Sequence, residues 1–146
     1  MMRRTVLLAA AAALACSSDT ISGPPDGLPH AAALPGCGPT DGPAVTIILG
    51  ADPIESTQPT RPFLSIKILE PLDRIDDHRW VIGEGATAMY FLDDSTGVLA
   101  AFGSVRITSV RSDSTVVGSA ELWFPQHGRI EGGFTAAWMD VPAMCG

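Results

Sequence analysis

The stretch VVGSAELWF, residues 116–124, decides the fold class. Val116, Gly118, Ala120, Leu122 and Phe124 fall on one face of an extended chain, opposite Ser119 and Glu121. Only a backbone of period two sorts them in this way. The flanking runs repeat the pattern. Residues 98–110 present Val105 and Ile107 on one face and Arg106 and Thr108 on the other, and Ile130, Gly132, Phe134, Ala136 and Trp138 share a face of the last run. Turn sequences at 111–114 and 125–128 separate the three. Connections of about four residues between successive strands predict an antiparallel meander.

Upstream the same signal is shorter. Val45, Ile47 and Leu49 alternate with Thr46 and Ile48, and Leu64, Ile66 and Ile68 alternate with Ser65 and Lys67. Residues 52–62 hold three prolines and must form an irregular loop. Residues 71–79 are charged and loop-like, with room for one helical turn. The segments 80–82 and 87–92 are apolar on both faces, which predicts strands covered on both sides. Asp93-Asp94-Ser95-Thr96-Gly97 is a turn cluster. Beyond the N-terminal leader no stretch repeats apolar residues at helical spacing. Gly103, Gly118, Gly132 and Gly133 interrupt strands, as bulges and tight bends do in strongly coiled sheets. The expected fold is all-β, a small antiparallel curved sandwich or barrel, mostly a meander.

Residues 1–15 open with Arg3 and Arg4, continue as an apolar run of about ten residues and end in small side chains. This is the order of a secretory signal, and the run is half the roughly twenty residues a bilayer span needs. Ala13-Leu14-Ala15-Cys16 resembles the lipobox of bacterial lipoproteins, in which the cysteine is acylated and becomes the new N-terminus. Ala13-x-Ala15 also suits the ordinary signal peptidase, which leaves a soluble periplasmic or secreted protein as the alternative address. Residues 16–43 are rich in Ser, Gly, Pro and Asp and lack apolar periodicity, so they read as a tether. Residues 44–146 are then a single β-domain to which Cys37 is pinned.

Three cysteines are an odd number for an oxidising compartment. With Cys16 acylated, Cys37 and Cys145 remain as a pair flanking the β-region. A bridge between them would hold the first and last strands at one corner. Residues 103–145 also resemble small uncharacterised bacterial envelope lipoproteins, through Gly103-x-Val105-x-Ile107-Thr108, a Gly118-containing strand, and Gly133-Phe134-x-Ala136 leading to a terminal cysteine. That resemblance implies a β-sheet domain with a disulfide, and no activity.

The formal charge is −7, and loss of Arg3 and Arg4 with the leader makes it more negative by two. An acidic surface with no basic patch argues against nucleic acid as a partner. Asp73, Asp76, Asp77 and His78 form the densest polar cluster. Their spacing lacks the glycine and closing glutamate of a calcium loop, so a hydrated loop is the expectation, with Asp76, Asp77 and His78 the weak metal candidates. His30 falls in the tether, and His78 and His127 fall in loops. No nucleophile elbow, zinc-helix motif or phosphate loop is present, and no catalytic residue or cofactor is assigned. Trp123 lies opposite Leu122 and Phe124, beside Ser119 and Glu121, and with Tyr90 it is the candidate contact surface. The expected function is a non-enzymatic envelope lipoprotein, joined to the membrane through a lipid on Cys16. Its β-module would bind an envelope protein or a small apolar ligand, or serve a structural role. The alternatives are a small-molecule carrier with a barrel cavity and a hydrolase or metal-dependent enzyme.

Overall fold

The computed structural model describes residues 23–93, 96–143 and 145. The leader 1–15, the acylation candidate Cys16, and Asp94 and Ser95 of the turn cluster lie outside them. The described residues form nine strands: β1 (His30–Cys37), β2 (Pro43–Gly50), β3 (Phe63–Ile68), β4 (His78–Val81), β5 (Ala86–Phe91), β6 (Val98–Leu99), β7 (Phe102–Val110), β8 (Val116–Phe124) and β9 (Gly128–Trp138). The one helical turn in 71–79 is the 3-10 turn Leu72–Arg74. Among the described residues no helix is long and apolar enough to cross a membrane.

The strands form a single sheet in the order β4-β7-β8-β9-β1-β2-β3-β5-β6, curled into a half-barrel. Alternation is the cause. Along β8 every even residue from Val116 to Phe124 is buried, and along β3 Leu64, Ile66 and Ile68 are buried while their neighbours are not. Strands such as these turn one apolar row inward, and curling brings the rows together, while β1 and β2 are buried on both faces along part of their length. Ile47, Leu49, Leu64, Ile107, Leu122 and Phe124 are 0–1% exposed and fill the inside. Close-packed interiors of this kind leave few voids wider than a water molecule.

Three features depart from a simple meander. β4 leaves the sequential run β3-β5 and pairs instead with β7, with Arg79 opposite Arg106 and Trp80 opposite Val105. β1 and β9 run parallel, in register at Ala32 with Ala137 and Ala33 with Trp138. The run 98–110 is bent into two strands. Ala100 donates its N–H to the Ala88 carbonyl at 2.9 Å, and Ala101 donates to the Trp123 carbonyl at 2.8 Å. Two residues of chain thus carry the path from β6, at one end of the sheet, to β7, beside the other end. Gly103 completes the corner with φ +139°, where a β-carbon would lie 2.3 Å from the Glu121 carbonyl oxygen.

The part of the expected tether that is described, residues 23–43, folds with the domain. Leu28 closes a turn on the Pro25 carbonyl at 3.0 Å and is 2% exposed within the core cluster. β1 follows at once. Its HAAALPGC sequence hides the strand, because three successive alanines give no contrast between faces. The expectation that 80–82 and 87–92 are covered on both sides also fails. Val81 is 45% and Leu92 42% exposed, and Met89, Tyr90 and Phe91 are only half-buried. Among the described residues no layer covers the outside of β4, and Val81 there is exposed.

Cys37, the last residue of β1, is joined to Cys145 beyond β9, with α-carbons 5.5 Å apart. The bridge ties the first strand to the segment after the last, at the junction where β1 and β9 already pair.

Candidate functional site

The outward rows of β4, β7, β8 and β9 form a continuous face, because residues opposite one another in an antiparallel ladder share a side. On β7 the outward positions are Phe102, Ser104, Arg106 and Thr108. Register places Trp123 and then Arg129 beside Phe102, Val81 and Glu121 beside Ser104, and Arg79 and Ser119 beside Arg106.

At one end, Phe102 and Trp123 stack with ring centroids 5.8 Å apart and planes within 7° of parallel. They are 60% and 43% exposed, an unusual place for two large rings. A second aromatic stack, Phe63–Phe91 at 4.5 Å, contrasts with it: both rings are half-buried, and Arg61 sits 5.7 Å from the Phe91 centroid. In the middle, acids and bases are arranged unequally. Glu121 and Glu131 oppose each other, and Arg129 reaches both, at 3.2 and 2.6 Å. Arg79 and Arg106 also oppose each other, but only one of them meets a carboxylate: Asp77 pairs with Arg106 at 2.9 Å, while Arg79 donates to Ser104 Oγ at 2.8 Å. A shallow hollow of about 190 Å³ lies there, lined by Arg79, Ser104, Arg106, Ser119, Ala120 and Glu121. Beyond Arg106, a groove of about 650 Å³ runs between Thr108, Val117 and Thr135 on the sheet and the segment from Gly23 to Ala31.

The polar cluster at 76–78 is divided among separate local tasks. Asp76 Oδ1 accepts the Val110 backbone N–H at 2.8 Å, Asp77 pairs with Arg106, and the His78 ring lies 4.7 Å from Trp80. Among the described residues no three His, Cys, Asp or Glu groups converge on a metal-sized site. The two candidate contact aromatics part company. Trp123 faces out, as its position opposite Leu122 implied. Tyr90 faces in, opposite Leu64, with its ring 5.7 Å from Phe124 and 6.2 Å from His127. Phe102, Arg79 and Arg106 were not singled out in the sequence, although parity held the signal. Arg106 lies between the buried Val105 and Ile107, Phe102 shares its parity along β7, and Arg79 precedes the buried Trp80. What parity cannot supply is the register that sets them beside Trp123.

At the far turn of β7 and β8, Asp113 accepts the Thr115 backbone N–H at 3.0 Å. That bond, followed by one from the Thr115 side chain, holds the exposed Asp113 carboxyl below its ordinary value. It is a turn-stabilising group, remote from the aromatic end. No family model, no curated protein and no solved structure matches this chain.

Proposed function

We propose that the chain is an exported, non-enzymatic β-module of the bacterial cell envelope, lipid-anchored through Cys16, which holds its partner on the outer face of β4, β7, β8 and β9. The observation that carries this reading is the bare Phe102–Trp123 stack. Leaving apolar area in water forgoes roughly 25 cal/mol per Å² of burial, and the folded chain leaves two of its largest rings there beside polar groups. The carrier reading has less support, because the inside of the curl is filled by side chains such as Phe124, Leu64 and Ile107. Catalysis has less still, since Asp76, Asp77 and His78 each serve a different neighbour.

Two experiments test the halves of the proposal. For the anchor, cells expressing the chain are fractionated: the wild type is expected with membranes and Cys16→Ser in the soluble fraction. An unmodified N-terminal cysteine by mass spectrometry would refute it. For the face, the purified chain is sedimented with washed envelope material. Phe102→Ala/Trp123→Ala is expected to lower retention at least tenfold with the melting temperature little changed, and equal retention would refute the assignment.

A further inference from the structure

We propose that Arg79 and Arg106, with the hydroxyls of Ser104 and Ser119, form an oxyanion seat that commits this face to an acidic polysaccharide, one bearing carboxylate or sulfate groups. The inference rests on the reading of the outer face as the binding surface and names its ligand class.

Like charges placed directly across a strand pair repel, and β-carbons in such a pair are about 4.5–5.5 Å apart. Elsewhere on this face the chain relieves that repulsion: Arg129 bridges the opposed Glu121 and Glu131. At Arg79 and Arg106 it does not. Asp77 pairs with Arg106 alone, and Arg79, which donates to Ser104, has no acid partner among the described residues. A guanidinium fork suits a planar or tetrahedral oxyanion, which it binds by paired N–H donors. The hollow between the two arginines is open and bordered by the Ser104 and Ser119 side chains, and the one carboxylate on its rim, Glu121, is engaged by Arg129 at 3.2 Å. With Asp77 on Arg106, the arginine pair is left with one guanidinium, that of Arg79, not offset by an acid.

The aromatic stack supplies the second half. Phe102 and Arg106 are outward positions four residues apart on one strand, about 13 Å at strand rise. The apolar C–H face of a sugar ring packs on an aromatic face, and its substituents hydrogen-bond sideways. An extended chain of rings lying along β7 would meet the aromatic pair at one end and set an acidic substituent on the arginines at the other. An acidic peptide fits less well. Peptides add to sheets through unpaired backbone edges; β7 and β8 are hydrogen-bonded on both sides, and the edge strand of this face, β4, is only four residues long.

The test is a fluorescence titration of the full chain at low ionic strength with four probes: polygalacturonate, dextran sulfate, neutral dextran and poly-L-glutamate. One or both acidic polysaccharides are expected to bind, which tells carboxylate from sulfate, and dextran and polyglutamate at least tenfold more weakly. Arg79→Gln and Arg106→Gln should each weaken the acidic polysaccharide tenfold or more, and binding should fall steeply with added salt. Arg79→Gln should leave the melting temperature unchanged or raise it, because it removes an unrelieved repulsion. A fall in melting temperature with binding intact would make the residue structural and overturn the seat. Polyglutamate binding as tightly as polygalacturonate would overturn the glycan. Dextran binding that ignores the arginines but is lost in Trp123→Ala would overturn the seat and leave the aromatic face standing. Binding of none of the probes overturns the glycan inference, and the envelope sedimentation then decides separately whether the face itself fails.

Discussion

At Gly132 a β-carbon would lie 2.3 Å from the Pro25 nitrogen and 2.6 Å from its Cδ. The glycine was legible in the sequence as a bend, but the register of β8 with β9 runs unbroken past it, from Val116–Ala136 to Phe124–Gly128. What requires glycine is the close approach of the Pro24–Pro25 backbone, a tertiary contact that no local pattern announces. Gly132→Ala is therefore expected to destabilise the domain by about 1–3 kcal/mol, the usual cost of overpacking, read from urea unfolding. Asp113 gives a pH signature at the same scale. Its carboxyl is held below the ordinary value by the Thr115 N–H, so its contribution is complete above the ordinary carboxylate range. It is lost as pH falls through the lowered folded value. NMR titration of the side chain should show a midpoint below that of an unstructured aspartate peptide, and Thr115→Pro, which removes the donor, should move it back up.

Among elements, the segment from Gly23 through β1 separates what the pattern could and could not say. Its Pro, Gly and Asp content marked it as a tether, and the turn at Pro25–Leu28 does use that chemistry. Yet Leu28 is 2% exposed and joins the core, and β1 bridges the two halves of the sheet by pairing with β2 and β9. Alanine runs carry too little contrast to reveal a strand. Leu28→Ala is expected to cost about 2–5 kcal/mol, as for other buried leucines. A tether residue would cost nothing measurable, so urea unfolding of this one variant separates the two descriptions. β7 and β8 were legible almost residue by residue because polar and apolar side chains alternate along them. β4 was legible only in part: a strand was expected at 80–82, but its start at His78 and its pairing with β7 were not, since four residues at an edge carry no period of their own.

For the molecule as a whole, the all-β class, the curl and the Cys37–Cys145 pairing could all be drawn from alternation, turn spacing and cysteine count. The parallel β1–β9 joint could not, because strand order depends on long-range pairing. The bridge spans a sequence separation of 108, and closing a loop of about 100 residues is worth near 4.7 kcal/mol in the chain-entropy model. Cys37→Ser/Cys145→Ser is expected to lose about 2–5 kcal/mol in urea unfolding and to keep its fold, since β1 and β9 remain paired without it. The central claim is that this molecule binds on the outside of its curl and packs the inside solid. Residue-resolved NMR on the full chain, titrated with solubilised envelope polysaccharide, tests that claim directly. Shifts confined to Phe102, Ser104, Arg106, Arg79 and Trp123 are expected, with Tyr90, Leu64 and Phe124 unmoved. Shifts centred on Tyr90, Leu64 and Phe124, with the outer row silent, would contradict it and make the protein a carrier.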